Sequence, residues 1–164
     1  MIPFTAWLEN TAIGVWVRES PSMFAFPFIL VVHAWGMGLL AGANAAIDLR
    51  ILGFAPRVPL SAMAKFHPVM WFGFVINAVS GFLLLMGYPT KALTNPVFYL
   101  KLACIVVGMV LMNWIRKKVF PEGESLPGNA KVMAVVSLAV WAGAIFAGRL
   151  LAYTCKYLMV GMRC

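Results

Sequence analysis

Acidic residues are scarce in this sequence. Five Asp and Glu stand against 13 Lys and Arg, and charged residues make up only 11% of the 164 positions. A protein that folds in water needs polar residues to cover its surface, so a composition this poor in charge excludes an ordinary soluble fold. The few carboxylates also form no obvious pair for general acid–base catalysis within the apolar segments.

Several signatures of catalysis and of covalent cofactor attachment are missing as well. The sequence contains no phosphate-loop pattern, no HExxH and no GxSxG. It has three cysteines but no CxxC or CxxCH, so a covalently attached c-type haem is not expected. We therefore expect no enzyme activity from this chain alone, and at most a role as a subunit of a redox complex.

What the sequence does contain is long apolar runs, because 63% of its residues are hydrophobic. About 20 apolar residues are needed for a helix to cross the hydrocarbon of a bilayer. Four runs satisfy this length, and they predict transmembrane helices at residues 23–47, 64–86, 96–114 and 132–153. The fold class predicted is therefore an all-α integral membrane protein, a four-transmembrane-helix bundle that forms a single membrane domain over residues 1–164.

The first twenty residues are predicted to form a helix in the membrane interface. Trp7 and Trp16 alternate there with charged residues, and tryptophan favours the depth of the lipid headgroups. The segment lacks a basic start, an apolar stretch and a small-residue cleavage site, so it is not expected to be a signal peptide.

Basic residues in the loops predict the orientation. Two loops on one side of the membrane are rich in Lys and Arg, which is typical of the cytoplasmic side. We therefore expect a bacterial inner-membrane protein with both termini in the periplasm, in contact with lipid headgroups and not with nucleic acid. The basic residues are Arg50, Arg57 and Lys65 in the first of these loops, and Arg116, Lys117, Lys118 and Lys131 in the second.

Small residues recur at four-residue spacing in the first two spans, and residues of the third and fourth spans also line up along one stripe, which places each set on one face of its helix. Helices in lipid associate through close packing of such residues, so these rows are predicted to be the contact seams of the bundle. The rows are Ala34, Gly38, Gly42 and Ala46 in the first span, Gly73, Asn77 and Gly81 in the second, Cys104, Gly108 and Met112 in the third, and Ser137, Trp141 and Gly148 in the fourth.

Polar side chains inside the membrane are costly and call for a reason. The first span carries His33, Asn44 and Asp48, and a rotation of 100° per residue puts all three on one face. A buried imidazole can ligate haem iron or copper, or relay protons. The alternative is a histidine that only forms a hydrogen bond to a neighbouring helix.

A b-type haem on His33 could take a sixth ligand from Met109 or Met112, which are expected at comparable depth on the third span. Lys101 and Arg149, on the same side of the membrane, could pair with the haem propionates. His67 is not expected to be the partner ligand, because about 15 Å of helical rise separates it from His33.

Short motifs along nearly the whole chain resemble an uncharacterised family of small four-helix bacterial inner-membrane proteins, classed as a domain of unknown function. The resemblance implies the fold and the location but no activity. A looser similarity in plan exists to copper-resistance D-type and cytochrome b-type membrane bundles. The motifs are S-P-x-x-x-A-F-P-x-x-x-x-x-H-A-W-G from Ser20 to Gly36, D-L-R-I-L-G from Asp48 to Gly53, N-P-x-F-x-x-K-L from Asn95 to Leu102, and G-R-L-L-A-Y from Gly148 to Tyr153.

Three functions remain open at this point. The first is a small subunit that binds one b-type haem at His33 and transfers electrons to, or anchors, another membrane or periplasmic redox subunit. The second is a cofactor-free accessory subunit of a larger membrane complex. The third is a copper or small-solute binding or transport protein that uses His33, Met37 and Asn44.

Overall fold

A computed structural model describes residues 3–119 and 126–153 of the chain. All secondary structure in these residues is helical, with no strand among them. The helices, in chain order, are α1 (Pro3–Glu9), α2 (Ala12–Glu19), α3 (Phe26–Leu52), α4 (Leu60–Met63), α5 (Phe66–Gly87), α6 (Pro89–Leu93), α7 (Pro96–Lys118) and α8 (Ala130–Tyr153).

Four segments are long and apolar enough to cross a membrane, which confirms the predicted all-α four-helix membrane bundle. They are α3, α5 with α4 before it, α7 and α8. The first span begins later and ends later than predicted, at Phe26 and Leu52 instead of residues 23 and 47. The other three agree with residues 64–86, 96–114 and 132–153 to within about one helical turn at each end, apart from the short α4 that precedes α5.

The predicted interfacial helix over residues 1–20 is two helices. The chain breaks at Thr11, whose hydroxyl accepts a hydrogen bond from the Gly14 N–H at 3.2 Å and so caps the start of α2. Helix α2 then packs on the end of α5, because Val17 is fully buried and lies against Gly87. The segment is therefore fixed to one end of the bundle as well as being amphipathic.

Local sequence signals explain where the spanning helices end. Gly53 adopts φ 104°, a left-handed conformation that glycine adopts without a steric penalty, and its neighbour Phe54 donates to Leu49 O at 3.0 Å to close α3. Arg50 then donates to the carbonyl oxygens of Val58 and Pro56 and holds the loop that follows. Helix α7 starts at Pro96, with the Asn95 side chain accepting from Val97 N at 2.9 Å.

Helix α3 is the centre of the bundle. It packs against α5 on one side and α8 on another, and α8 packs in turn against α7. The closest approach joins α3 and α5, since a Cβ added at Gly73 would lie 2.8 Å from Leu40 N and 2.9 Å from Gly36 O. The two glycines leave the space that lets the backbones come this close.

The predicted seams on α5, α7 and α8 are confirmed by their contacts, but the one on α3 is wrong. Gly38 and Gly42 have no atom within 4 Å of an added Cβ, whereas the side of α3 that packs carries Gly36, Leu40 and Ile47. Helix α3 is apolar on all sides, so small size alone does not tell which of its faces meets a helix and which meets lipid.

Candidate functional site

The most organised polar group within the spans surrounds His33 on α3. The imidazole lies over Gly81 of α5, where an added Cβ would be 3.0 Å from His33 Cε1. Its Nδ1 is 3.1 Å from the Asn77 carbonyl oxygen and 3.1 Å from Ser80 Oγ. Because a carbonyl oxygen only accepts, Nδ1 carries a hydrogen and donates it to Asn77 O. In the neutral imidazole this leaves Nε2 as the acceptor.

Lys101 of α7 meets that acceptor. Its Nζ lies 3.1 Å from His33 Nε2, so the amine donates to the ring nitrogen. The stem of Lys101 runs beside Gly148 of α8, where an added Cβ would be 3.7 Å from Cε and 3.8 Å from Nζ. The small residue on α8 therefore leaves room for a long basic side chain to cross to α3. We call His33 and Lys101, linked in this way, the His–Lys pair.

Helix α5 fixes the orientation of the imidazole. Asn77 is buried and its Nδ2 donates to the His33 backbone oxygen at 2.8 Å, while Ser80 is buried and its hydroxyl donates to Ile76 O at 2.6 Å. Both side chains are available to His33 because Gly36 and Gly73 bring the two backbones together one turn away. The contact of Ser80 with His33 was not predicted from the sequence. Its position three residues after Asn77 places it on the same face of α5, and this spacing could have indicated the contact.

The residues proposed as haem ligands are not all brought together. Met109 and Met112 follow Lys101 by eight and eleven residues on α7, which is about 12 and 16 Å of helical rise. They pack with the apolar core instead, so the expected proximity to His33 is not found. The prediction placed the two methionines near His33 because of their expected depth in the membrane. The contact between Lys101 and His33 shows that Lys101, and not a methionine, lies level with the imidazole.

Arg149 and His67 also lie apart from His33. The Arg149 side chain is exposed and makes no hydrogen bond or ion pair within the described residues, whereas its neighbour Gly148 touches Lys101. His67 lies near the start of α5, ten residues or about 15 Å of rise before Asn77. Its ring stands beside Trp71, with ring centroids 6.4 Å apart.

The residues around His33 determine whether a metal ion or a haem could bind there. Within residues 3–119 and 126–153 no three His, Cys, Asp or Glu side chains converge as a metal site. A haem iron would need His33 Nε2, which hydrogen-bonds Lys101, and Met109 and Met112 lie about 12 and 16 Å of helical rise beyond Lys101. The arrangement as it stands does not fit a haem with a His and Met ligand pair. Metal binding at Nε2 would require Lys101 to turn away first.

Comparisons of the chain with protein-family models, with curated proteins and with solved structures found no match. The chemistry available at His33 therefore follows from its geometry. An amine and an imidazole in hydrogen-bond contact can exchange a proton.

Proposed function

We propose that this chain is an accessory subunit of a larger complex in the bacterial inner membrane, and that its His–Lys pair holds and passes on a proton for that complex. The observation that carries the proposal is the 3.1 Å contact between Lys101 Nζ and His33 Nε2 within two membrane-spanning helices. Ionisable groups in such helices are expensive, and they mark proton relays and substrate paths in membrane proteins.

The proton step is balanced within the pair. When the Lys101 ammonium gives its proton to His33, an N–H bond breaks at Nζ and one forms at Nε2. The positive charge moves from the amine to the imidazole, and the net charge of the pair is unchanged. The Nδ1–H stays bonded to Asn77 O and takes no part in this step.

The outer face of α3 supports an accessory role. Ala34, Gly38 and Gly42 line an exposed row of small residues, and an added Cβ at Gly38 or Gly42 would have no neighbour within 4 Å. Rows of this kind let another transmembrane helix approach closely. We propose membrane or periplasmic redox subunits as the partners. This proposal agrees with the resemblance of the sequence motifs to small bacterial inner-membrane proteins.

The proposed orientation rests on charge. The loop after α3 and the end of α7 both carry clustered basic residues, so the positive-inside rule puts them in the cytoplasm and the termini in the periplasm. His33 is seven residues from the start of α3 and Lys101 five from the start of α7. At helical rise both lie about 8 to 10 Å below the periplasmic ends of their helices.

A second candidate function is supported by the anchoring of the imidazole. Histidines that ligate metals usually donate their other ring N–H to a carbonyl or carboxylate, as His33 Nδ1 does to Asn77 O. In this second candidate, His33 Nε2 would be the ligand of a haem iron or a copper ion. Lys101 would then turn toward the surface and pair with an acidic group. Electron transfer would then replace proton transfer as the role of the site.

Purification in mild detergent separates the two candidates. For the accessory subunit we expect a flat reduced-minus-oxidised visible spectrum, no stoichiometric copper, and partner chains that co-purify with the wild type. A Gly42→Leu variant should remain folded but lose those partners, because leucine fills the exposed row on α3. A b-type absorption band at about one haem per chain, lost in His33→Ala but kept in His67→Ala, would contradict this expectation and favour the second candidate.

A further inference from the structure

A second polar cluster lies on α3 about three to four turns beyond His33, against α8. Asn44, Asp48 and Ser137 are 1%, 0% and 0% exposed. The Asn44 amide Nδ2 donates to Asp48 Oδ2, one turn along the same helix, and to Ser137 Oγ at 2.8 Å. The cluster therefore contains a fully buried carboxyl group inside a membrane-spanning segment, where polar groups need specific partners.

Two oxygen atoms of this cluster have no partner. Asp48 Oδ1 and Asn44 Oδ1 are both buried and neither accepts a hydrogen bond. A carboxylate only accepts, so Asn44 must turn its NH₂ group toward Asp48 and leave its own oxygen unbonded. The Ser137 hydroxyl is the one further donor in the cluster, so at least one of these two buried oxygen atoms has no donor to pair with, and a buried acceptor without a partner is destabilising.

The charge of Asp48 is also unmatched. No ion pair involves it within the described residues, where only Arg18 and Glu19 form one. Arg50, on the same helix, donates to loop carbonyls instead. None of the described titratable and charged groups on the neighbouring spans forms an ion pair with the carboxyl group. These groups are His67 on α5, Lys101, Arg116, Lys117 and Lys118 on α7, and Lys131 and Arg149 on α8. Without an ion pair, the buried carboxyl group either takes up a proton or needs a bound cation to carry its charge.

We propose that Asn44, Asp48 and Ser137 form a binding site for a small monovalent cation, which is a sodium ion or the proton that replaces it on the carboxyl group. The ligands are oxygen atoms, which hard cations prefer, and a single carboxylate matches a single positive charge. Carboxylates in membrane helices commonly mark ion and proton paths. The inference does not rest on the His–Lys pair, because the two clusters share no residue.

The test is thermal unfolding of the full chain, purified in detergent into sodium-free buffer. Sodium chloride is compared with choline chloride at equal ionic strength, under mildly alkaline and mildly acidic conditions. A ligand that binds only the folded state raises its stability with the logarithm of concentration above the dissociation constant. For a sodium site we expect a melting temperature that rises by a constant step for each tenfold increase in sodium, with the effect weakened by acid.

Asp48→Asn is the matched variant, since it keeps the size and shape of the side chain and removes its charge. It should fold without added cation and lose the response to sodium. Infrared difference spectra give a second readout: one carboxyl band that responds to sodium or acid in the wild type should be missing from Asp48→Asn, while the bands of the four glutamates remain.

The outcomes distinguish the two cations. A sodium response lost in Asp48→Asn supports a sodium site, and an acid response without a sodium response, also lost in Asp48→Asn, supports a proton site. A melting temperature insensitive to both would overturn the proposal, as would responses that persist in Asp48→Asn. In either of these cases the His–Lys pair and the function proposed for it would stand unaffected.

Discussion

Gly73→Ala is expected to lower the melting temperature of the detergent-solubilised protein strongly, although it adds only one methyl group. The added Cβ would lie 2.8 Å from Leu40 N and 2.9 Å from Gly36 O. Both atoms belong to the α3 backbone, which cannot turn aside as a flexible side chain can. The two helices must therefore separate, and overpacking of this kind typically destabilises by about 1 to 3 kcal/mol.

Separation of α3 from α5 should also disturb the His–Lys pair, because Asn77 and Ser80 reach His33 only across this seam. Gly42→Ala is the matched control: it adds the same methyl group to α3 where no atom lies within 4 Å. Its melting temperature should equal the wild type or rise slightly, since alanine favours helix over glycine. Equal losses in the two variants would refute the account of the α3–α5 seam.

Trp141→Ala is expected to give the largest loss of stability among side-chain truncations. Trp141 is 2% exposed and its indole packs on Gly108 of α7, where an added Cβ would be 2.7 Å from Cε2. Removal leaves a cavity between α7 and α8 that the glycine cannot fill. Buried Phe or Trp to Ala changes cost about 3 to 5 kcal/mol in soluble cores, and reversible unfolding in mixed detergent should detect a loss of this order.

Trp35→Ala provides the comparison, because the Trp35 side chain is 74% exposed on α3. Lipid or detergent occupies that surface in either variant, so we expect little change in the unfolding midpoint. If Trp35→Ala destabilised the isolated chain as strongly as Trp141→Ala, the placement of the two indoles, one in the core and one at the lipid surface, would be wrong.

The bundle itself could be predicted from the sequence because its signal is strong. Apolar runs of sufficient length leave few alternatives to membrane-spanning helices. The third span begins at Pro96 as predicted, whereas the first continues to Leu52, five residues beyond its predicted end. The break at Thr11 was missed, since the alternation of tryptophan and charge continues across it. Only the capping hydrogen bond to Gly14 shows that a second helix begins there.

Helix rotation was harder to predict, and the site depends on it. Their four-residue spacing predicted that Gly38 and Gly42 lie in a helix contact, yet the contact of α3 with α5 is formed by Gly36 and Leu40. Lipid and neighbouring helices are equally apolar, so the pattern of small residues carries no sign of which one a face will meet. His33 was identified as a candidate because a histidine within an apolar run is unusual. Its predicted partners, Met109 and Met112, were selected by their expected depth, and the structure places Lys101 there instead.

Lys101 illustrates what the sequence could not supply. Its position on the same side of the membrane as His33 was predicted, but as a partner for haem propionates and not for the imidazole. The contact depends on the register of α7 against α3 and on the space that Gly148 leaves on α8. Neither is encoded in the composition of α7, because both arise only when three helices are packed.

The most direct test of the His–Lys pair is nitrogen-15 NMR of histidine-labelled protein. The chain has two histidines, so a His67→Gln variant reports on His33 alone. We predict that Nδ1 is protonated, as its bond to Asn77 O requires, and that Lys101→Met shifts the Nε2 resonance strongly while changing Nδ1 little. An unprotonated Nδ1, or an Nε2 resonance that Lys101→Met leaves unchanged, would contradict the account.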